Sequence, residues 1–307
     1  MENILVSIVI PTYGRPQTLE RAVNSVLNQT YKNIEVLVVD DNNPDTDARR
    51  ETEEVMHRIK ESDERVIYLQ HPCNKNGSAA RNTGIFNSHG KYVALLDDDD
   101  EFKPNKIAVQ LERMEKLDDS WAACITGFDK FNSDGSLMGV GAETKEGNIL
   151  LDALGRNYYA CSGSNLFIRR KVLDEIHGFN ESFKRNQDLE LLVRILQKYK
   201  LAKCNENCLI IHAHKRTTDV QAVTDTFLKS FTPVIEEQSE DDKKRIYFLI
   251  NLQLVRYYII RKKNYKKAFS LMREKSISIL DLIKYFKHLY YRYKTKRICG
   301  YPLKKQF

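Results

Sequence analysis

Over residues 4–100, short apolar runs alternate with amphipathic stretches, and polar clusters fall where apolar runs end. No other feature restricts the fold as tightly, because strands alternating with helices at this spacing build βα units on a largely parallel sheet. Residues 5–10, 35–39, 66–70 and 92–96 read as strands. Between them, residues 19–28 place Leu19, Ala22, Val23, Val26 and Leu27 on one helical face, and residues 47–60 and 78–87 read as further helices. Residues 105–117 and 187–199 continue as helices, and 122–131, 165–168 and 209–213 as strands. Beyond Thr217 no strand signal remains, and the helical periods break near 239–240, 262–264 and Ser276. The expectation is an α/β fold over residues 1–217, with a mixed, mainly parallel sheet flanked by helices, and a helical appendage over 218–307. Ligands of open α/β sheets bind beyond the carboxyl ends of the strands. The polar clusters lie on that edge.

The 307 residues are 42% hydrophobic and 30% charged, with 13 Gly and 7 Pro, so the chain folds rather than staying disordered. The most apolar late stretch, residues 246–260, contains Asn251, Gln253 and Arg256, which excludes a conventional membrane span. Met1-Glu2-Asn3 leads straight into a strand-like run without a basic segment or a small-residue cleavage site, so a cytoplasmic protein is expected. Six cysteines, at 73, 124, 161, 204, 208 and 299, form no CxxC pair, which argues against a disulfide framework and a structural zinc site. The net charge of +7 is unevenly divided. Residues 243–307 hold 19 Lys/Arg against two acids, a net of +17, and 13 of the 30 aromatics. Residues 1–242 hold 30 Lys/Arg and 40 acids, a net of −10. Cationic surface interleaved with aromatic rings suits anionic lipid headgroups or nucleic acid.

The run Asp97-Asp98-Asp99-Asp100 directly follows the apolar residues 92–96. Most acidic runs are solvated loops. At the end of a buried strand, however, four carboxylates repel one another unless a cation is bound. Asp97 and Asp99 form an Asp-x-Asp element whose oxygens suit Mg²⁺ or Mn²⁺ and are too few to enclose the ion, so a phosphate would complete the shell. Asp40-Asp41 alone reads as a helix cap. Beside Pro11-Thr12-Tyr13 it gains a second reading, in which a ring stacks on a base and a carboxylate accepts its N–H. In residues 76–82, Ser78 is a candidate N-cap, and Arg81 is either a surface ion pair or a planar fork for a diphosphate. Asp188 falls on a first helical turn, where the macrodipole favours the ionised form. It is either a cap or a general base for an acceptor hydroxyl. One of His212 and His214 is a candidate to complete a metal shell or touch a phosphate, the other being structural.

Taken together, Val6-Ser7-Ile8-Val9-Ile10-Pro11-Thr12-Tyr13, Val38-Val39-Asp40-Asp41, Asn76-Gly77-Ser78-Ala79-Ala80-Arg81-Asn82, Leu96-Asp97-Asp98-Asp99-Asp100 and Gln187-Asp188 resemble the family 2 glycosyltransferases of the GT-A fold, over roughly residues 4–215. The resemblance implies a Rossmann-like nucleotide-diphospho-sugar transferase with a nucleotide-sugar half at about 1–100 and an acceptor half at about 101–217. It implies that Pro11, Thr12, Tyr13 and Asp41 hold the nucleobase, with Asp40 in support. Arg81 would lie near the base or diphosphate, Asp97 near the ribose or metal, Asp99 on the metal, and Asp188 would be the catalytic base. Two positions depart from the pattern. Family members more often carry Glu-Asp where this chain has Gln187-Asp188, and a small polar residue where it has Asp98. Asp98 is therefore placed with the donor-side residues or toward solvent. Gly163, Ser164, Asn165 and Gln187 are acceptor-side candidates, and Phe128 and Asp129 are further candidates for a sugar pocket. The implied reaction is a single displacement with inversion. It would move a hexose or N-acetylhexosamine from a nucleotide sugar, UDP favoured, to a glycan or polyprenyl-diphosphate-linked hydroxyl in surface-polysaccharide synthesis, with Mn²⁺ or Mg²⁺.

Competing enzyme classes lack their motifs. A sugar-nucleotide pyrophosphorylase needs a glycine-rich loop after the first strand, where Gly14 stands alone, and no GxGxxG of a dehydrogenase follows any strand. An aspartyl-phosphate phosphatase needs its Asp pair where this chain has Pro-Thr-Tyr. The remaining alternative is a non-catalytic membrane-surface or nucleic-acid binding module built on the basic C-terminal region. There, Tyr285, Phe286, Leu289, Tyr290, Tyr291 and Tyr293 interleave with six Lys and Arg residues. These residues either form an interfacial helix on an anionic membrane, the inner face of the plasma membrane, or pack within the protein or between copies of a homo-oligomer. Nucleic acid is not expected beside a nucleotide-sugar site.

Overall fold

The computed structural model describes residues 3–160, 162–214 and 219–303. The chain forms two compact units, Met1–Asn148 with Ala160–His214, and Ile149–Tyr159 with Lys215–Phe307. The boundary read at Thr217 falls outside the described residues. Residues 149–159, read from the sequence with the first unit, belong to the second.

In the first unit, β1 (Val6–Thr12), β2 (Ile34–Asp40), β3 (Val66–Gln70) and β4 (Tyr92–Leu95) lie parallel in the order β4-β1-β2-β3. Their crossovers are α1 (Pro16–Leu27), α2 (Asp47–Ser62) and α3 (Gly77–Phe86). Beyond β4 come β5 (Glu101–Phe102), α4 (Lys106–Glu115), β6 (Trp121–Phe131) and β7 (Leu137–Gly141). β8 (Phe167–Arg169) lies antiparallel between β4 and β6, and β9 (Lys200–His212) runs parallel to β6 and pairs with β5. The sheet is thus mixed, with its parallel half first. Val6–Ile10 and Ile34–Val39 are buried on both faces, which is why they read as continuous apolar runs rather than alternating ones. Pro16 opens α1, whose buried face is Leu19, Ala22, Val23 and Val26. α3 presses directly on β1. A Cβ at Gly84 would lie 2.3 Å from Val9 Cγ1, so only glycine permits this approach.

The later elements depart more from the sequence reading. β9 begins at Lys200, nine residues before the expected strand, because Lys203, Asn205 and Glu206 interrupt its apolar pattern. β5, β7 and the one-turn-scale α6 (Arg170–Glu175), which follows the second unit's α5 (Leu150–Leu154) in the chain, are too short to show a period. α7 (Gln187–Leu196) is shorter than expected at its end. The N-cap of α3 is Asn76 rather than Ser78. Its side chain accepts from the Ser78 and Ala79 N–H groups, while Ser78 Oγ donates to Phe183 O.

The second unit comprises α5, α8 (Val220–Glu236), α9 (Glu240–Arg256), a π-helical turn at Tyr257–Arg261, α10 (Tyr265–Glu274) and α11 (Ile279–Thr295). A two-residue strand, β10 (Arg297–Ile298), follows, correcting the expectation of none beyond Thr217. The helix starts coincide with caps: Ser239 accepts from Asp242 N–H, Asn264 from Lys267 N–H, and Ser278 forms a capping box with Asp281. Phe248, Leu252, Val255, Ala268, Met272, Ile277 and Tyr285 form its core. Of the α11 side chains only Tyr285 is buried, whereas Ile279, Leu280, Ile283, Tyr290, Tyr291 and Tyr293 are exposed. Among the described residues, no helix is long and apolar enough to cross a membrane.

Candidate active site

The carboxyl ends of β1, β2 and β4 carry the first half of the site. After β1, Gly14 adopts φ +69° and its N–H donates to Asn42 Oδ1 at 2.8 Å. This turn leaves the Tyr13 ring exposed, with Thr12 buried and Pro11 half-buried. After β2, Asp40 is fully buried and its carboxylate is used internally. It pairs with Arg49 Nε at 2.9 Å and accepts from Tyr68 Oη at 2.5 Å and from Asn42 N–H at 2.8 Å. Burial raises its pKa despite those partners. Asp40 braces the strand end rather than capping α2, whose N-cap is Thr46. Asp41 accepts from four donors: the Lys75 and Asn76 N–H groups, Asn74 Nδ2 and, through Oδ1, His71 Nδ1 at 2.7 Å. A carboxylate has about four acceptor positions. In this structure Asp41 spends all of them ordering the loop before α3.

At the end of β4, the acidic run leaves the strand and turns. Asp97, Asp99 and Asp100 each offer an oxygen within 4.8 Å of the others. Opposite oxygens around Mg²⁺ or Mn²⁺ stand about 4 Å apart at bond lengths of roughly 2.1 Å, so the group fits a divalent ion after a small closure. Without a cation the arrangement is costly. Burial, with the charges of Asp97 and Asp99, pushes the Asp100 carboxyl up to about 8. Asp100 also accepts from Ser164 Oγ at 2.6 Å and from His212 N–H at 3.2 Å. Asp98 does not point into solvent. It is fully buried, pairs with Arg15 Nη2 at 2.9 Å and is pushed by burial up to about 7. Arg15 also pairs with Asp99, which His214 Nε2 approaches to 3.0 Å. His212 instead meets Glu101 at 2.7 Å.

The second half of the site is joined to the first by Arg81. Its Nη2 donates to Asp97 Oδ1 at 2.5 Å, and its Nη1 donates to Gln187 Oε1 at 2.9 Å and to Gly77 O at 3.0 Å. Gln187 also donates to Phe183 O. Asp188 follows Gln187 on the first turn of α7. Burial raises its pKa, with the Leu189 N–H and Arg81 opposing and the Asp97 charge assisting. A Cβ built at Gly163 would lie 3.9 Å from Arg81 Nε and 4.0 Å from Asp188 Cβ, so this short turn abuts the pair. Ser164 and Asn165 are fully buried. Ser164 Oγ accepts the Asp97 N–H and so holds the acidic turn, whereas Asn165 accepts from Thr126 N–H and donates to Thr126 O, tying its own turn to β6. Phe128 is buried, and Asp129 pairs with Lys103 and accepts from Asn207.

Sequence reasoning missed Arg15 and Asp100 as members of the site. Arg15 was visible as a lone cation in the polar turn after the first strand. Asp100 was hidden by applying strand alternation to a segment that has already left the strand at Leu95.

Residues 7–177 match the profile described as Glycosyl transferase family 2. The chain belongs to that family. Asp188 lies just beyond the matched segment. An uncharacterized glycosyltransferase of Rickettsia felis is 37% identical over 45% of this chain, but the match spans only 21% of that protein. TuaG of Bacillus subtilis, named for teichuronic acid biosynthesis, is 31% identical over 67% of this chain and 77% of its own. WfgD of Escherichia coli, named a UDP-Glc:alpha-D-GlcNAc-diphosphoundecaprenol beta-1,3-glucosyltransferase, is 29% identical over 82% and 93%. Among solved structures, TarS of S. aureus with UDP superposes with a TM-score of 0.62 at 14% identity, covering 85% of this chain and 74% of that one. A mannosyltransferase of Pyrobaculum calidifontis with GDP-Man and Mn²⁺ gives 0.59 at 15%, covering 94% and 80%. These likenesses establish the GT-A fold.

Proposed function

We propose that this enzyme transfers a sugar from a nucleotide-diphosphate donor, a UDP-hexose or UDP-N-acetylhexosamine, to a hydroxyl of a glycan or polyprenyl-diphosphate-linked acceptor in bacterial surface-polysaccharide synthesis, with inversion. The observation that carries the reading is the network Gln187, Arg81 and Asp97, which ties the first turn of α7, where Asp188 follows Gln187, to the three-carboxylate group after β4. TuaG and WfgD supply the polysaccharide context by their names. The non-catalytic alternative is disfavoured by the family match.

Asp188 takes the acceptor hydroxyl proton as its oxygen bonds to the anomeric carbon and the bond to the diphosphate breaks. A raised carboxyl pKa brings the base closer to the operating pH and strengthens proton acceptance. Arg81, stacked 5.5 Å from the Phe179 ring, presents a fixed cation beside Asp97, toward the departing diphosphate. A single displacement with inversion needs one base, and Asp188 is the carboxylate given that role here. Gln187 is an amide engaged by Arg81, and Glu190 is held by Arg194 at 2.6 Å. Asp97, Asp99 and Asp100 would hold Mn²⁺ or Mg²⁺, with His214 beside Asp99. Such an ion supplies positive charge to the leaving diphosphate. Tyr13, an exposed ring in the turn after β1, is the surface on which a nucleobase would stack.

The exposed apolar side chains of α11, together with exposed Phe269 of α10, alternate with lysines and arginines. That pattern supports peripheral attachment to an anionic membrane on the cytoplasmic side, where a lipid-linked acceptor resides. The test of function is a donor panel with Mn²⁺, scored by nucleotide release and by proton NMR of the product's anomeric configuration. Release from a UDP-sugar with inverted product supports the proposal. A retained configuration defeats the single-displacement mechanism, and no release from any donor defeats the transferase reading.

A further inference from the structure

The turn that follows β1 is held at both ends by one carboxylate. Asp98 Oδ2 accepts the Tyr13 N–H at 3.3 Å, and Asp98 Oδ1 pairs with Arg15 Nη2 at 2.9 Å. Between these contacts the Gly14 N–H donates to Asn42 Oδ1 at 2.8 Å. Asp98 is fully buried, so loss of Arg15 would leave a desolvated carboxylate short of a partner. The carboxylates that converge after β4 are Asp97, Asp99 and Asp100. Asp98 is not of that group, and its contacts fix the turn instead.

Arg15 carries more donors than the chain uses. A guanidinium has N–H donors on all of its nitrogens, set in one plane. Nη2 meets Asp98 and Nη1 meets Asp99, and no other hydrogen bond or ion pair joins the Arg15 side chain to a described residue. That side chain is 36% exposed, whereas the two carboxylates that grip it are 0% and 5% exposed. The cation is thus anchored from the buried side and open on the other. Arg81, by contrast, is 13% exposed, and its terminal nitrogens are already spent on Asp97, Gln187 and Gly77. α1 starts at Pro16, directly after Arg15, and its first turn carries no acid, so the positive end of its macrodipole adds to the same field. The exposed Tyr13 ring lies two residues before Arg15, and the acidic group touches Arg15 through Asp99. Ring, cation and acidic group therefore follow one another along this edge, as base, phosphates and metal do in a bound nucleoside diphosphate. A planar fork fixed on one side by a buried carboxylate suits phosphate oxygens.

We propose that Arg15 binds a diphosphate oxygen of the donor nucleotide, with Asp98 as the residue that positions it. The assignment rests on the proposed function in taking a nucleoside diphosphate as the ligand, and it gives that ligand a second cation besides Arg81. One turn then reads both ends of the nucleotide, Tyr13 meeting the base and Arg15 the diphosphate, with Asp98 fixing one relative to the other.

The test titrates UDP and uridine, each in Mn²⁺, calorimetrically into the full-length wild type and Arg15→Gln. Binding of Mn²⁺ alone is followed in the same two proteins by electron paramagnetic resonance of the free ion. In the variant, UDP affinity is expected to fall at least tenfold. Uridine, which has no phosphate, should bind within about twofold of the wild type, and Mn²⁺ alone no more weakly. Unchanged UDP affinity overturns the assignment. An equal loss for UDP and uridine also overturns it, since Arg15 would then only support the turn. Weaker binding of Mn²⁺ alone overturns it too, since Arg15 would then act through the acidic group. Asp98→Asn keeps an oxygen for the Tyr13 N–H and removes the charge that faces Arg15. It should lower UDP affinity at least threefold with uridine unchanged, and wild-type UDP affinity in that variant overturns the role given to Asp98. A wild type that binds no UDP defeats the transferase reading and this assignment together, whereas a wild type that binds UDP beside an indifferent Arg15→Gln defeats the assignment alone.

Discussion

Replacing Asp188 by asparagine keeps the outline of the side chain and an oxygen for the Leu189 N–H, the backbone group that bears on this carboxylate. It removes only the capacity to take a proton. A positioned general base contributes roughly 10²–10⁴-fold, or about 3–5 kcal/mol of transition-state stabilisation. The network around Asp188 runs through Gln187 and Arg81 rather than through the Asp188 carboxylate, so donor binding has no structural reason to change. Transfer is therefore expected to fall by about 10² or more while UDP affinity in Mn²⁺ stays within about twofold. Burial also holds Asp188 above the ordinary carboxylate range. The acid limb of the wild-type rate should accordingly lie above the pH at which an exposed aspartate titrates, and it should vanish from the residual rate of the variant. Initial rates of UDP release, with calorimetry on the same preparations, check both points. Near-wild-type transfer by Asp188→Asn would refute the assignment, and loss of UDP binding would make Asp188 part of the donor site instead.

Three further outcomes follow from the geometry. Asp99→Asn should weaken Mn²⁺-dependent UDP binding at least tenfold in calorimetry, and unchanged binding would move the metal elsewhere. Ser164→Ala removes two buried hydrogen bonds, to Asp97 N–H and Asp100, and should cost about 2–4 kcal/mol in urea unfolding. A loss below about 0.5 kcal/mol would contradict the role given to that turn. Lys106 is fully buried, its Nζ donating to Gln110 at 2.7 Å, and burial holds its pKa down to about 8. The unfolded chain then binds more protons than the native one between pH 8 and roughly 10.4, so this group makes stability rise with pH across that window. Below pH 8 the buried ammonium costs about 3 kcal/mol, and Lys106→Met should abolish the rise. Parallel pH slopes in both proteins would sink the argument.

The parallel half of the sheet was legible because its strands are buried on both faces and its helices carry long, regular apolar stripes. β9 was half hidden, since Lys203, Asn205 and Glu206 sit within a strand whose partner β6 supplies much of its cover. The polar strand ends announced a site, yet not how each member is used. Asp40 and Asp41 read as a helix cap or a base-binding pair, and the structure gives both carboxylates partners from within the chain. Ser164 and Asn165 read as acceptor-side candidates; both are buried, and Ser164 bonds the acidic turn. Asp98 looked solvated, but Arg15 neutralises it across a separation of 83 residues. Such pairings depend on where a loop turns after its strand, which no local period encodes.

Calorimetric titration of UDP into the full chain, once with Mn²⁺ and once with EDTA, tests the central claim most directly because it requires no knowledge of the acceptor. Saturable UDP binding in Mn²⁺ that is lost in EDTA is the predicted result. Absence of nucleotide binding in both conditions, for UDP and equally for GDP and CDP, would contradict it.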